Sequence, residues 1–413
     1  MADLAISIVI VSRDRPDFLR RSLRAVQQLD YPLFETIVVA CPPGAKIASA
    51  CDGVRVIVCD APNISTARNL GVAQALGEVV AFLDDDAVPE PTWLSHLANA
   101  FADPKVAQAG GTTLGRNGIS VQHAAARVDT SAVTHPVAWT GLAPGILESR
   151  ADQYHPRLHG TNMALRRSAL VQHNGFDERF AFYLDETDLT YRISRAGGQT
   201  VFVPLAIVHH SSGPSRFRAS DRTPRSVFEI AASTAVFHRK HCPETGRNAA
   251  RAAFISERRR WILQHMQRGS LPPDSAWKLC RDLIKGYAEG TKRLHVPSPP
   301  FPHTQNGQIP VRPVSSQDVA LVTSPRKRQP DLMRAKSLAA RGHRVTVLDY
   351  DLTARFHRVT FTDDGFWLHT GGTFGREMRD EPMFQFRSRT ERVRRTLSRL
   401  VGIRSKKVLL TDV

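Results

Sequence analysis

The chain has 413 residues, 42% of them hydrophobic, and a formal net charge of +17. That length can bury more than one core, so we expect at least two domains. No apolar stretch approaches the ~20 residues of a membrane-spanning helix, and five cysteines without a CxxC pair argue against a disulfide framework or a zinc knuckle.

The N-terminus carries a short, strand-like apolar run instead of a basic-then-apolar secretion signal. We therefore expect a cytoplasmic protein with reduced thiols. Lys and Arg concentrate after residue 215, at 258–260, 326–328 and 387–407. Such charge favours nucleic acid, anionic lipid headgroups or phosphorylated substrates as partners, and it is equally compatible with solvated basic helices that bind none of them.

In chain order, the first 83 residues alternate between strand and helix patterns. This alternation predicts βαβ units and a mainly parallel, doubly wound sheet. Pro16 suits the first turn of the first helix. The predicted strands are 4–11, 36–39, 54–58 and 79–83, and the predicted helices are 16–29 and 63–76.

Three consecutive carboxylates, Asp84, Asp85 and Asp86, follow the apolar run at 79–83. In open α/β sheets the functional crevice lies at the carboxyl ends of the strands. Adjacent carboxylates repel one another, and a hard divalent cation relieves that repulsion. The alternative is a solvated acidic turn that caps the helix starting near 91–93.

A further strand is predicted at 106–113, and residues 114–157, which lack a clear period, are predicted to be loops lining a cleft. Order returns with 160–165, a helix from Ser168 and a helix carrying the acidic stretch 185–189. Strands at 200–203 and 206–210 complete a first domain, predicted to span 1–223.

Residues 224–294 have a helical, basic pattern. Phe254, Trp261, Ile262 and Met266 recur at helical spacing. This stripe predicts either an interfacial helix on an anionic membrane or a helix packed on the adjacent domain.

A proline-rich linker is predicted at 295–317. Beyond it, 318–413 is predicted to be a small Rossmann-like α/β unit, with strands at 319–322 and 345–348 around a helix at 329–340.

Several acidic or histidine positions fall at predicted strand ends or element starts: Asp14, 84–86, 185–188 and His209-His210. In a doubly wound sheet these ends can converge on one crevice. Carboxylate and imidazole groups can hold a divalent cation, and a further carboxylate can act as a general base.

Residues 5–215 resemble the inverting family 2 glycosyltransferases, which have the GT-A nucleotide-diphospho-sugar transferase fold. The resemblance rests on motifs that occur together in the family's order. They are 7–16 (SIVIVSRDRP), 63–71 (NISTARNLG), 82–86 (FLDDD), 160–162 (GTN), 175–178 (GFDE), 185–189 (DETDL) and His210.

The resemblance implies a nucleotide-diphosphate sugar donor, and a hydroxyl of a cell-surface glycan or lipid-linked intermediate as acceptor. Ser12, Arg13 and Asp14 would line the nucleoside pocket, and Arg68 would face the base or the phosphates unless it is a surface arginine. The implied donor-binding residues are Ser12, Arg13, Asp14, Asn63, Arg68, Asp84, Asp85, Gly160 and Asn162.

Asp84 would contact the ribose. Asp86 would hold a divalent metal, Mn²⁺ or Mg²⁺, with His210 completing the metal shell and His209 as the alternative. Gly160 and Asn162 would lie under the donor or acceptor sugar, or form a structural turn.

The acidic motif implies the base that takes a proton from the acceptor hydroxyl. Glu186 aligns with the usual base, but the common order in the family is Glu-Asp, so Asp185 stays a candidate. Asp188 would orient the loop or cap the helix. The family's aspartate after the second strand is replaced here by Ala40-Cys41-Pro42-Pro43, so base recognition would be looser or use Asp60.

The C-terminal turn at 339–348 (AARGHRVTVL) resembles the opening of a GT-B glycosyltransferase domain. This unit is too short for a whole GT-B enzyme, so we expect a remnant or an accessory docking module without its own catalysis.

Two rival functions remain open. A nucleotidyltransferase would need a glycine- and lysine-rich loop after the first strand, and 12–16 has no glycine. A nucleic-acid-binding protein would interleave aromatic residues with its basic ones, and the basic tail after Arg387 has none, so we expect no nucleic-acid partner. Peripheral contact with anionic membrane, on the inner face of the plasma membrane, stays a prediction.

Overall fold

The structure is a computed structural model that describes residues 4–150, 153–295, 301, 307–312, 318–324, 326–404 and 408–411. Most of the predicted linker (296–300, 302–306 and 313–317) and residues 405–407 of the basic tail lie outside the described residues. Phe301, from the linker region, is buried in the core of the first domain.

A ten-stranded mixed sheet forms the core of the N-terminal half. Its central strands are apolar, β-branched runs, and they are buried because helices cover both faces. The strands up to residue 210 are β1 (Ile6–Ser12), β2 (Phe34–Ala40), β3 (Val54–Val58), β4 (Val79–Asp84), β5 (Ala87–Pro89), β6 (Val106–Leu114), β7 (Val121–His123), β8 (Ala126–Asp129), β9 (Thr134–Pro136), β10 (Gly145–Ile146), β11 (Tyr154–Arg157), β12 (Asn162–Arg166) and β13 (Gln199–His210).

The strand order is β10-β13-β6-β12-β4-β1-β2-β3, with β5 beside β13 and β7 beside β6. Strands β4, β1, β2 and β3 are parallel, and β12 runs antiparallel between β4 and β6. The carboxyl ends of four strands therefore meet at one edge, where Asn162 begins β12 opposite Leu83. The predicted α/β class is confirmed.

Six helices flank this sheet within the described residues. Pro16 occupies the first turn of α1, as predicted, whereas α2 was not predicted from the sequence. The helices are α1 (Pro16–Val26), α2 (Pro42–Ser49), α3 (Ile64–Ala73), α4 (Trp93–Ala100), α5 (Arg167–Gln172) and α6 (Asp185–Arg195).

The prediction that 114–157 consists of loops was wrong. This region contains five short strands, and three of them (β11-β8-β9) form a separate antiparallel sheet. Each strand in the region has only two to four residues, so none is long enough to show an alternating pattern in the sequence.

The basic helical region contains α7 (Phe228–His241), α8 (Arg247–Gln267) and α9 (Pro273–Lys292). The apolar stripe of α8 packs against α7 and α9, with Ile255 and Ile262 buried. Of the two alternatives predicted for this stripe, the structure therefore shows packing within the protein. Among the described residues, no helix combines the length and apolarity needed to cross a membrane.

The C-terminal unit has its own five-stranded sheet, in the order β16-β17-β15-β14-β18. It packs on the first domain through an apolar cluster that joins Ala25 and Val88 to Val359, Phe361 and Trp367. Its elements are β14 (Asp318–Thr323), α10 (Arg328–Ala340), β15 (Arg344–Asp351), β16 (Arg358–Phe361), β17 (Trp367–Gly372), α11 (Arg389–Leu400) and β18 (Val408–Thr411).

Candidate functional site

A cleft of about 410 Å³ opens at the carboxyl ends of β1, β2 and β3. The β1–α1 loop, the start of α3 and the segment after β13 form its walls. Its lining includes Ser12, Arg13, Asp14, Arg15, Asn63, Phe182, Arg216 and Phe217.

The β1–α1 loop brings Arg13 and Asp14 to the cleft. Asp14 has a φ of 59°, a left-handed conformation that aspartate tolerates better than most residues. Arg13 donates a hydrogen bond to the Asp60 carbonyl at 2.8 Å and lies 3.5 Å from the Asp60 carboxylate. The structure thus places Asp60, the alternative base-reading residue, beside the predicted nucleoside pocket.

Asn63 lines the same cleft and is the N-cap of α3. Its side-chain oxygen accepts hydrogen bonds from the Ser65 and Thr66 amides, and its amide group donates to the Glu178 carbonyl at 2.7 Å. The cap satisfies two amides at the first turn of α3, so Asn63 fixes the wall of the cleft.

The three consecutive aspartates differ in their exposure to solvent. Asp84 ends β4 with its side chain 27% exposed, whereas Asp85 and Asp86 are buried. Asp84, Asp86 and His210 each offer a ligand atom, and these atoms lie within 4.8 Å of one another. Two carboxylates and one imidazole are a donor set that suits Mn²⁺ and is compatible with Mg²⁺. The sequence prediction named Asp86 and His210, and the structure adds Asp84.

The imidazole of His210 is fixed on both sides. Its Nε2 lies 3.2 Å from Asp86 Oδ1, and its Nδ1 lies 3.2 Å from Gln122 Oε1. A partner on Nδ1 leaves Nε2 as the ligand nitrogen. The neighbouring His209 points the other way, to Glu90 at 2.8 Å, because successive strand residues face opposite sides.

Arg15 neutralises the buried part of the acidic run. It pairs with Asp85 and lies 2.8 Å from Asp86 Oδ2. Asp85 also accepts a hydrogen bond from Ser12 Oγ at 2.7 Å. Burial raises the pKa of Asp85 to about 7, against the charge of Arg15. Of the predicted donor-binding residues, Ser12 and Asp85 thus contact each other. Asp85 lies in sequence between two members of the candidate metal cluster, which is the group Asp84, Asp86 and His210.

Asp86 behaves differently from Asp85. Burial alone would raise its pKa, but the hydrogen bond and charge of His210, the charge of Arg15 and the Gly213 amide hold that pKa below its usual value. Asp86 is therefore an ionised carboxylate in the buried wall of the site.

The acidic motif opens α6 after two residues in left-handed conformation, Tyr183 and Leu184. Asp185 is buried, and burial raises its pKa despite the adjacent Arg68 charge. The Glu186 side chain is 13% exposed and lies 3.8 Å from Arg157. Of the two candidate bases, Glu186 has the more accessible carboxylate.

Asp188 is fully buried among cations. It contacts Arg192 at 2.9 Å, Lys240 at 2.6 Å and His241 at 2.8 Å. Despite burial, these partners hold its pKa well below the usual value. Asp188 thus joins α6 to α7 through Lys240 and His241.

Arg68 is buried and is therefore not a surface arginine, and its contact with the donor base or the phosphates stays a prediction. Its guanidinium is 5% exposed, pairs with Asp185 and lies 3.5 Å from Asp84. It also lies over the Phe82 and Phe176 rings, with centroid distances of 5.9 and 5.3 Å. Arg68 thus connects the end of β4, which carries the possible metal ligand Asp84, to the start of α6.

Gly160 and Asn162 lie close to this connection. A Cβ atom on Gly160 would lie 2.8 Å from Arg68 Nη1 and 2.9 Å from Cζ, so the position excludes a side chain. Asn162 accepts a hydrogen bond from Trp93 Nε1 and donates to the carbonyls of Thr112 and Ala206. Both positions therefore make contacts within the protein, and their place under a donor or acceptor sugar stays a prediction.

Sequence reasoning missed a group of residues from the short strands. His123 and His159 stack with ring centroids 3.8 Å apart. Burial, together with the charges of His210 and Arg157, lowers the pKa of His123 to about 4, while Glu186 and Asp84 oppose this. His123 is therefore close enough to His210, Asp84 and Glu186 for their charges to shift its pKa. The histidines themselves were the feature of the sequence that could have pointed to this group.

The segment after β13 forms one wall of the cleft. Phe217 stacks on Phe182 with centroids 3.8 Å apart, and Arg216 donates to the Pro62 carbonyl at 3.0 Å. Sequence reasoning noted basic residues from 215 onward but gave them no place in the site.

An open α/β sheet with a nucleoside-sized cleft and a possible divalent-cation cluster at its strand ends is the architecture of a GT-A glycosyltransferase domain. Residues 7–173 match the family model described as "Glycosyl transferase family 2". The matched residues run from β1 to α5, so the similarity to this family lies in the N-terminal domain.

Among curated proteins, the chain is 28% identical over 243 residues to the pre-mycofactocin glycosyltransferase of Mycobacterium tuberculosis. This alignment covers 56% of this chain and 48% of that protein. It is 43% identical over 56 residues to the N-acetylglucosaminyl-diphospho-decaprenol L-rhamnosyltransferase of the same organism, covering 13% and 18%. The chain thus spans about half or less of the length of these relatives.

Among solved structures, the mannosyltransferase PcManGT from Pyrobaculum calidifontis, in complex with GDP-Man and Mn²⁺, aligns with a TM-score of 0.41 at 16% identity. The alignment covers 71% of this chain and 88% of that chain.

Proposed function

We propose that this protein is a divalent-metal-dependent, inverting glycosyltransferase that moves a sugar from a nucleotide-diphosphate donor to an acceptor hydroxyl. One observation carries the proposal. Arg68 lies 3.5 Å from Asp84, one of the possible metal ligands, and pairs with Asp185, the neighbour of Glu186, so it fixes the end of β4 relative to the start of α6.

The donor nucleoside would occupy the cleft beside Asp14, Asn63 and Phe217. Its diphosphate would then reach Asp84, Asp86 and His210, which would hold the cation. When bound, the cation would stabilise the negative charge of the departing diphosphate.

Glu186 acts as the general base. It accepts the proton of the acceptor hydroxyl while that oxygen bonds to the anomeric carbon. The bond from this carbon to the phosphate oxygen breaks with its electron pair, and the nucleoside diphosphate leaves from the opposite face, so the configuration inverts. Asp185 is the weaker candidate for this role because its carboxylate is buried against Arg68.

For the acceptor, we propose a lipid-linked or cell-surface glycan intermediate. Support comes from the rhamnosyltransferase relative, whose name gives an N-acetylglucosaminyl-diphospho-decaprenol acceptor. The exposed Arg251, Arg259 and Arg260 on α8 suit contact with anionic headgroups, so we propose a cytoplasmic protein peripheral to the membrane.

The nucleotidyltransferase alternative receives less support. A nucleotidyltransferase would bind its triphosphate through the β1–α1 loop. In this loop, however, Arg13 is hydrogen-bonded to Asp60, and Arg15 forms ion pairs with Asp85 and Asp86.

The test is release of nucleoside diphosphate from a panel of UDP-, GDP- and dTDP-sugars by the full chain, with Mn²⁺ or with EDTA. We expect release from sugars of one nucleotide, abolished by EDTA and reduced in Glu186→Gln. Release that is equal with EDTA would refute the metal-dependent mechanism.

A further inference from the structure

A buried ion pair connects the C-terminal unit to the first domain. Arg404 donates from Nε to Glu90 Oε2 at 2.7 Å and from Nη2 to Glu90 Oε1 at 2.9 Å. The two side chains are 5% and 3% exposed. Such a two-bond contact fixes orientation as well as distance.

Glu90 lies directly beside the two strands that lead to the metal cluster. It follows β5, which begins one residue after Asp86 and pairs antiparallel with β13. Glu90 also contacts His209 Nε2 at 2.8 Å, and the next residue of β13 is His210. The Glu90 carboxylate therefore holds together β13, which carries His210, and the end of β5, which directly follows Asp86.

The C-terminal unit determines where the Arg404 guanidinium lies. Arg404 donates to Thr346 Oγ1 at 3.0 Å, approaches His369 Nε2 at 2.9 Å and lies over the Trp367 ring at 3.9 Å. Every one of these contacts comes from β15 or β17. The position of Arg404, and through it that of Glu90, depends on the fold of the unit.

The apolar contact around this pair keeps water away from it. Val88, from β5, packs in one cluster with Phe361 and Trp367 of the unit. A charge pair in such surroundings is strongly destabilised when one partner is removed, because the remaining charge stays buried.

We propose that the C-terminal unit is a positioning module for the metal cluster, and that Arg404 is the positioning residue, acting through Glu90 and His209 on the spacing of Asp86 and His210. This inference rests on the metal site in the proposed function. It gives the unit a role that requires no catalysis of its own.

The test compares Mn²⁺ dissociation constants and thermal midpoints of full-length variants. Arg404→Gln removes the ion pair, and Arg404→Lys keeps the charge but loses the two-bond geometry. The matched control is Arg21→Gln, which removes the interface pair with Asp363, whose atoms lie 2.9 Å apart on the exposed rim of the same interface.

We expect Arg404→Gln to weaken Mn²⁺ binding about tenfold, as replacements of groups that support metal ligands commonly do. Arg404→Lys should give a smaller loss, and Arg21→Gln should bind as wild type does. In a Glu90→Gln background, Arg404→Gln should add less than about twofold, because its effect passes through Glu90.

If Arg404→Gln does not fold, Arg404→Lys and the Glu90→Gln/Arg404→Gln double variant carry the test, since the double variant leaves no buried charge. A lower thermal midpoint with unchanged Mn²⁺ affinity in the Arg404 variants would overturn the inference while leaving the proposed function in place. Failure of wild type to bind Mn²⁺ would overturn the metal site itself, and this inference with it.

Discussion

Gly160→Ala is a small change at the point where Arg68 joins the two halves of the site. The added Cβ would lie nearest to Arg68 Nη2, and even Cζ would be only 2.9 Å away, inside the 3.4 Å at which ordinary contact begins, so the guanidinium would have to move by more than about 0.5 Å. The pairing with Asp185 and the rings of Phe82 and Phe176 oppose that movement.

Forcing a methyl group into such a position costs about 1–3 kcal/mol, or roughly 2–4 °C of thermal midpoint per kcal/mol in a domain of about 200 residues. The control is Gly115→Ala, whose Cβ would meet its nearest atom at an ordinary 3.7 Å. Thermal unfolding of the full chain, followed by circular dichroism, measures both. Equal midpoints for the two variants would show that Arg68 has room to move and would refute the proposed rigid connection.

Other predictions follow from the site and the domain contact. Glu186→Gln should lower the transfer rate by about 10²–10⁴-fold with donor affinity retained, and a larger loss in Asp185→Asn with a folded protein would make Asp185 the base. Asp86→Asn should weaken Mn²⁺ binding and also lower the thermal midpoint, because it removes a buried charge beside Arg15; unchanged Mn²⁺ affinity would contradict its role as ligand. Although burial opposes it, Arg404 and, less strongly, His209 lower the pKa of Glu90 from 4.5 to about 2, so these contacts together should contribute about 3 kcal/mol above pH 4.5 and lose it as pH falls towards 2. Arg404→Gln should remove most of that acid sensitivity, and an unchanged pH profile of the thermal midpoint would show that Glu90 is not its source.

Long apolar runs were readable from the sequence because their pattern depends only on burial. The strand that precedes Asp84 is an example, since five buried apolar residues ending in carboxylates leave few alternatives. The metal pairing of Asp86 with His210 came from the family resemblance, and the geometry brings the two side chains within 3.2 Å.

The direction of a helical side chain was not readable. Arg68 lies on a predicted helix, but its partner Asp185 is 117 positions away, and no local pattern connects them. Likewise, His123 and Arg157 belong to strands of three and four residues, which are too short to show a period. The contact between Arg404 and Glu90 requires the packing of two separate sheets, which the composition of neither domain determines.

The most direct test of the account is calorimetric titration of the full chain with UDP, GDP and dTDP, with and without Mn²⁺, for wild type and Asp86→Ala. The account predicts that one nucleotide binds in the presence of Mn²⁺ and that this binding is lost without the ion or in the variant. Tight binding that is independent of both Mn²⁺ and Asp86 would contradict it.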